Sequence, residues 1–151
     1  MLPIVTETGD RPDPLIHPDT EPFWTALERG ELVAQVCGGC GTWRFPFGPV
    51  CFRCRSFDHA WEPLDPTGTI AVVVVVQRAT GERVWSEQVP FLSGTVDMAH
   101  DLRLPGRVLC VCGAARRHGT EVRAVRLAAD GHPTVLAFAH GCALPSDGQP
   151  S

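Results

Sequence analysis

The chain has 151 residues, 44% of them hydrophobic, which is enough to bury one core, either as one domain or as a small domain with an attached module. Its 15 glycines and 14 prolines favour short elements joined by turns and therefore a mainly β body. The formal net charge of −4 argues against general nucleic-acid binding. The longest apolar run is far shorter than a membrane span and no secretory signal is evident, so we predict a cytoplasmic protein without a membrane partner.

The N-terminal region divides into an arm and a helix. Residues 1–18 contain four prolines and scattered charges, which predicts a flexible arm. Residues 19–30 predict a helix that Asp19 or Thr20 caps and Gly30 ends. Its apolar face consists of Phe23, Trp24 and Leu27. This face either packs on the body or helps to line a ligand groove or partner surface.

Two C-x-x-C pairs dominate the next segment, 31–64. The pairs are Cys37 with Cys40, and Cys51 with Cys54. Ten residues separate them and include the turn-prone run 45–49, so the two knuckles can fold together around one tetrahedral zinc ion. Disulfides or free thiols are the alternatives, and a reducing cytosol favours zinc over disulfides. Because four cysteines leave no open position on the metal, this zinc is predicted to be structural.

Strand-like segments surround and follow these cysteines. Segments 31–36, 42–45 and 60–64 complete a zinc ribbon. A β-branched run at 69–76 opens the region 65–141 and predicts a strand covered on both faces. Further strands are predicted at 89–96, 107–112, 121–127 and 134–139. Five short strands favour a five-stranded OB-fold barrel, with a small sandwich as the alternative, and a flexible tail at 142–151.

The order of helix, four-cysteine ribbon and barrel carries a family resemblance, and local motifs support it. The motifs are Pro22-Phe23-Trp24, Gly30-Glu31-Leu32, Cys37-x-x-Cys40-Gly41, Trp43-Arg44-Phe45-Pro46, Thr67-Gly68-Thr69-Ile70 and Val89-Pro90-Phe91. Over roughly residues 20–140 the chain resembles the acyl-CoA-associated zinc-ribbon/OB-fold family, once catalogued as domain-of-unknown-function family 35. Three features depart from the family pattern. They are Phe47-Gly48 in the turn, Arg55 in place of glycine, and the barrel end at 136–141.

The resemblance implies an accessory role in acyl-CoA chemistry, in lipid or polyketide metabolism. Members of this family accompany thiolase-like condensing enzymes, acyltransferases and aldolases, and help to form a channel for the pantetheine arm of CoA. It therefore implies a rubredoxin-like ribbon, structural zinc, CoA or acyl-CoA as a ligand, and a thiolase-like enzyme subunit as the partner. We predict no catalytic residue in the isolated chain.

The predicted ligand-binding residues combine arginines with aromatic side chains. They are Trp24, Arg44, Phe45, Phe47, Arg53 and Arg55. The arginines either offset the negative charge of the thiolates or pair with CoA phosphates, and the aromatic residues either stack on a ligand or pack the ribbon on the barrel. The apolar side chains of the helix, the ribbon turn and the first barrel strand together offer more apolar surface than one small barrel can bury. This excess predicts pairing with an enzyme or self-association.

Two other functions remain as alternatives. Aromatic residues interleaved with arginines on an OB fold can bind single-stranded nucleic acid, although the acidic net charge opposes this. An independent enzyme acting on a CoA thioester would need a nucleophile and a base. The weak candidates are Cys110 with Cys112, His140 with Cys142, and the loop residues Asp97, His100 and Asp101.

Overall fold

The computed structural model of the protein describes residues 1–81 and 83–145. Within these ranges a helix, a three-stranded antiparallel sheet and a barrel follow one another along the chain, in the order that the sequence predicts. No helix in these ranges is both long and apolar enough to cross a membrane.

Helix α1 spans Glu21–Glu28 and is shorter at both ends than the predicted segment 19–30. Its buried residues are Phe23, Ala26 and Leu27. They are spaced by three, one and four positions and so share one side of the helix. Gly30 follows the helix with a φ of 83°, a left-handed conformation that glycine adopts without steric cost. The chain can therefore turn sharply into the ribbon.

The ribbon is a sheet of three antiparallel strands. They are β2 (Val33–Cys37), β3 (Trp43–Arg44) and β4 (His59–Pro63), with β2 in the centre. Gln35 of β2 pairs with Arg44 on one side and with Trp61 on the other. The first cysteine knuckle therefore forms the turn between β2 and β3, and the second lies in the loop that leads to β4.

Five strands close the barrel. They are β5 (Thr67–Val76), β6 (Phe91–Asp97), β7 (Arg103–Leu109), β8 (Glu121–Ala129) and β9 (His132–Ala139). Strand β5 pairs with β6 and β8, β6 pairs with β7, and β9 lies between β7 and β8. Only the β7–β9 pair of this ring is parallel. This closed ring confirms the predicted five-stranded OB-fold barrel and not the sandwich.

The predicted burial of both faces of the first barrel strand is wrong for its second half. Ile70 is buried, but Val72 and Val74 are each 54% exposed. The reason is topological, because β8 pairs with β5 only from Thr67 to Thr69 and the remainder of β5 has β6 as its neighbour. A β-branched run therefore indicated a strand here but did not indicate what covers it.

The N-terminal segment 1–18, predicted as a flexible arm, contains an ordered strand in the structure. Strand β1 (Ile4–Thr6) pairs in parallel with β8. Arg11 is 6% exposed and donates hydrogen bonds to Glu7 Oε1 at 2.8 Å and to the carbonyl oxygen of Pro133 at 2.6 Å. Proline-rich composition does not reveal a single buried arginine that ties such a segment to the barrel.

Three further elements differ from the sequence prediction. Helix α2 (Arg83–Gln88) lies between β5 and β6 and was not predicted. Strand β7 starts at Arg103, before the predicted 107, and stops before the predicted end. In the predicted flexible tail 142–151, a short 3-10 turn covers Gly141–Ala143, and positions 146–151 lie outside the described residues.

Helix, ribbon and barrel share one hydrophobic core. Leu27 of α1, Ala34 of β2 and Phe138 of β9 are each 0% exposed and belong to the same packed cluster. A second contact joins ribbon and barrel at the surface, where Trp43 stacks on His100 with ring centroids 3.8 Å apart. The ribbon is therefore packed on the barrel and is not joined to it by a linker alone.

Candidate metal centre and apolar groove

The four cysteines of the ribbon converge on one point. Cys37 Sγ lies 3.4 Å from Cys54 Sγ, and Cys40 Sγ lies 3.8 Å from Cys51 Sγ. All four sulfur atoms lie within 4.8 Å of one another, and none forms a disulfide. Four sulfurs bound to one zinc at about 2.3 Å would be about 3.8 Å apart, so this arrangement fits a tetrahedral ion.

Backbone N–H groups point at the sulfur atoms in both knuckles. The N–H of Gly39 donates to Cys37 Sγ at 3.3 Å, and the N–H of Arg53 donates to Cys51 Sγ at 3.4 Å. Such hydrogen bonds favour the thiolate form of cysteine, which is the form that binds metal. Each knuckle therefore has one cysteine whose thiolate form a backbone N–H two residues further along the chain stabilises.

Hydrogen bonds shift the pKa values of Cys51 and Cys54 in opposite directions. The backbone N–H of Cys54 lowers the pKa of Cys51 to about 6. The N–H of Ser56 lowers the pKa of Cys54, but burial and hydrogen bonds with the other three thiols together raise it to about 11. Thiolates this close destabilise one another, so all four ionise near neutral pH only around a cation.

Arg44 does not occupy the exposed position that phosphate binding requires. Its side chain is 1% exposed and donates from Nη2 to the carbonyl oxygen of Gly48 at 3.0 Å. The N–H of Gly48 in turn donates to Oε1 of Gln35, also at 3.0 Å. These bonds fix the turn that carries Phe45 and Phe47, so Arg44 positions the turn and is not accessible to a ligand from solvent.

Arg53 and Arg55, the other two predicted arginines, are exposed on the second knuckle. Arg55 has a φ of 63°, matching the 71° of Gly41 in the first knuckle. Its N–H donates to the carbonyl oxygen of Cys51 at 2.9 Å, so the knuckle requires this left-handed backbone. The departure from glycine that the sequence shows at Arg55 therefore introduces local strain.

We expect Arg55→Gly to raise the free energy of unfolding by about 0.5–1 kcal/mol, because glycine adopts positive φ without the steric penalty of a Cβ atom. Arg55→Ala is the matched control, since it removes the long side chain and keeps the penalty. Denaturant unfolding of the zinc-loaded chain measures both variants. Equal stability of the two variants would show that backbone strain is not the cause.

An apolar groove of about 350 Å³ lies between α1, the aromatic turn and the barrel. Its lining is Leu15, Thr20, Phe23, Trp24, Phe45, Pro46, Phe47, Leu104, Pro105, Val135 and Leu136. Three of the predicted ligand residues, Trp24, Phe45 and Phe47, thus come together in it. The rings of Phe45 and Phe47 meet edge to face with centroids 5.2 Å apart. A groove of this chemistry suits an extended chain with few charges.

The loop residues considered as catalytic candidates make structural contacts. Asp97 accepts a hydrogen bond from Nε of Arg103 at 2.6 Å, and His100 stacks on Trp43. Both His100 and Asp101 have positive φ angles, of 60° and 57°. The described contacts of Asp97 and His100 thus tie this loop to β7 and to the ribbon.

The structure also gathers four residues that the sequence analysis treated as separate pairs. Cys110, Cys112, His140 and Cys142 place their ligand atoms within 4.8 Å of one another. The sequence signal was a C-x-C followed by an H-x-C. It could not be interpreted without the parallel pairing of β7 and β9, which brings the two motifs side by side. We call these four residues the barrel-end cluster.

Two family models match adjacent parts of the chain. The family model described as ChsH2, rubredoxin-like zinc ribbon domain, matches residues 24–60. The model described as ChsH2, C-terminal OB-fold domain, matches residues 61–127. Together they match about two thirds of the chain without a gap. The chain belongs to the ChsH2-type zinc-ribbon/OB-fold family. The structure extends the matched OB region to β9, which closes the barrel.

Two solved structures are similar to this ChsH2-type chain. One, described as "Ltp2-ChsH2(DUF35) aldolase", is 26% identical, has a TM-score of 0.73, and aligns over 84% of this chain and 98% of that chain. The other is a DUF35-family protein of unknown function from Sulfolobus solfataricus. It is 13% identical with a TM-score of 0.54 over 82% of this chain and 85% of that chain, which shows a shared fold. Both agree with the predicted family.

A curated relative matches a shorter stretch of the ChsH2-type chain. It is the "Probable enoyl-CoA hydratase alpha subunit" of Thermomonospora curvata, 41% identical over 59 residues. The aligned stretch is 39% of this chain and 18% of that protein. The chain therefore spans less than a fifth of that relative's length.

Proposed function

We propose that this chain is a zinc-containing accessory subunit that binds a thiolase-like enzyme and contributes a groove for an acyl-CoA. The apolar groove between α1, the ribbon turn and the barrel is the observation that carries the proposal. The similarity to a protein described as an Ltp2-ChsH2 aldolase supports an enzyme partner. The enoyl-CoA hydratase name of the curated relative supports a CoA-linked substrate.

The zinc has a structural role in this proposal. Cys37, Cys40, Cys51 and Cys54 hold it, and four cysteine ligands leave it no open position for substrate or water. Its contribution is to fix both knuckles, and the turn with Phe45 and Phe47 connects them. The ion therefore shapes one wall of the groove.

The groove fits the pantetheine and acyl part of the ligand and not its phosphates. Thr20 and the indole N–H of Trp24 supply the polar side-chain groups among the described lining residues, and none of these residues is charged. The exposed guanidinium groups of Arg53 and Arg55 are the candidate phosphate contacts on the ribbon. The same lack of charge disfavours single-stranded nucleic acid, because its phosphates would follow the bases into the groove.

Uncovered apolar side chains supply a surface for the enzyme partner. Phe52 and Phe57 on the second knuckle are 70% and 74% exposed, and Val72 and Val74 on β5 are each 54% exposed. Aromatic anchors dominate many protein interfaces, and exposed apolar patches frequently mark them. We infer that the partner enzyme covers one of these surfaces.

The test is co-expression of the tagged full chain with each thiolase-superfamily protein of the same genome, followed by octanoyl-CoA titration of any complex. We expect one stable complex, and Trp24→Ala or Phe47→Ala should weaken its octanoyl-CoA affinity about 10-fold while zinc content stays unchanged. Trp85→Ala is the matched control, because Trp85 is also half-buried but lies outside the groove. If the chain forms a stable complex with none of these proteins, the proposal of a thiolase-like partner is refuted. If both groove variants bind octanoyl-CoA with the wild-type affinity, the proposal that the groove binds acyl-CoA is refuted.

A further inference from the structure

The barrel-end cluster has the composition and spacing of a metal site, and we propose that it binds a second zinc ion. Cys110 Sγ lies 3.6 Å from Cys112 Sγ and 3.5 Å from Cys142 Sγ. Nδ1 of His140 lies 3.4 Å from Cys112 Sγ and 3.1 Å from Cys142 Sγ. These separations are similar to those between sulfur atoms of the ribbon, of which two are 3.4 and 3.8 Å.

Strand pairing brings the ligands together. Strands β7 and β9 run parallel with Leu109 beside Ala139, so the residues that follow each strand emerge side by side. The N–H of His140 donates to the carbonyl oxygen of Leu109 at 2.9 Å and holds the two exits in register. Gly113, with a φ of 78°, then turns the first segment back towards the cluster.

Backbone N–H groups donate to the sulfur atoms of these cysteines, as they do in the ribbon, and so favour the thiolate form that binds metal. The N–H of Cys112 donates to Cys142 Sγ at 3.4 Å, and the N–H of Ala115 donates to Cys110 Sγ at 3.5 Å. The ribbon knuckles show the same contact at 3.3 and 3.4 Å. The sulfur atoms of the barrel-end cluster therefore accept the same kind of backbone hydrogen bond as the ribbon sulfurs, although the surrounding backbone is not a C-x-x-C knuckle.

The ligand set favours zinc over other occupants. Three cysteines and one histidine around one point form a common tetrahedral zinc site. In iron–sulfur clusters the ligands attach to different iron atoms, whereas here all four ligand atoms lie within 4.8 Å and fit a single ion. A disulfide needs sulfurs about 2.05 Å apart and would leave the third cysteine and His140 without a role.

The proposed second zinc stabilises the barrel where β7 pairs with β9. This proposal does not depend on the groove or on the enzyme partner. It joins the ends of β7 and β9, the parallel pair of the ring, to the turn Gly141–Ala143. All four ligands come from this chain, and a three-cysteine, one-histidine site is closed to substrate, so its role is structural.

The test measures metal content of the full chain, purified with a reductant and without chelator. We expect two zinc ions per chain in the wild type and one in Cys142→Ser and Cys112→Ser. Val111→Ser is the matched control, since Val111 lies between two ligands but is 82% exposed, and it should keep two. His140→Gln keeps all three thiols, and its second zinc should leave at a chelator concentration at least about 10-fold lower.

Each other outcome overturns the proposal. One zinc in the wild type that Cys142→Ser leaves in place assigns the metal to the ribbon alone. Iron in place of the second zinc, or a disulfide between Cys110 and Cys142 that persists in the protein purified with reductant, also refutes it. If Cys142→Ser does not fold, His140→Gln decides, and unchanged chelator resistance in that variant counts against the site.

Discussion

Cys51→Ser should release the zinc of the ribbon and lower the free energy of unfolding by at least about 3 kcal/mol, because metal binding at a structural zinc site contributes directly to folding. Cys51 is 0% exposed, and its thiol has a pKa lowered to about 6 by the backbone N–H of Cys54. Serine retains the size but not the soft thiolate. The remaining three sulfurs would then surround a neutral hydroxyl in a buried position.

The measurement is zinc content by elemental analysis together with denaturant unfolding. Val50→Ser is the control, because the neighbouring Val50 is 40% exposed and donates nothing to the metal, and it should keep the wild-type zinc content. A Cys51→Ser chain that retains every zinc ion of the wild type would remove the ribbon cysteines from the metal site.

Phe138→Ala should destabilise the barrel by about 3–5 kcal/mol, the usual range for emptying a large aromatic site in a core. Phe138 on β9 is 0% exposed and packs in the core shared by helix, ribbon and barrel. Its ring lies over Gly106 of β7, where an added Cβ would meet two ring carbons at 3.1 Å. The absence of a side chain at Gly106 thus makes room for the ring.

A double-mutant cycle isolates this contact. Gly106→Ala alone should destabilise the chain by about 1–2 kcal/mol through overpacking. In the Phe138→Ala background the same change should cost less, because the ring that it contacts is gone, so the two effects are not additive. Unfolding by denaturant measures all four proteins. Strict additivity would show that the ring and Gly106 do not constrain each other.

The sequence was sufficient for features that depend on local spacing. Two C-x-x-C pairs around a turn predicted the convergence of four sulfurs, since each knuckle is set by residues only three apart. Turn residues between strand-like segments predicted five barrel strands, and this number is confirmed. Trp24, Phe45 and Phe47 lie together along one groove, and their role in ligand binding stays a prediction.

Features that depend on the pairing of distant strands could not be predicted from the sequence. The barrel-end cluster needs the parallel pairing of β7 with β9, which joins residues about 30 positions apart. The exposure of Val72 depends on where β8 stops pairing with β5. Arg44 was predicted to bind a ligand or to offset the thiolate charge, yet it is enclosed by the turn that it hydrogen-bonds.

The common core of helix, ribbon and barrel makes zinc and the proposed groove ligand thermodynamically linked. Phe45 and Phe47 lie on the segment between the two knuckles, and Phe47 packs on Phe23 of α1 with ring centroids 5.1 Å apart. An ion that orders the knuckles therefore preorganises a wall that it never touches, which reduces the entropy lost on ligand binding. Reciprocity then requires an acyl-CoA in the groove to raise the affinity of the ribbon for zinc by the same factor by which zinc raises the affinity for the acyl-CoA.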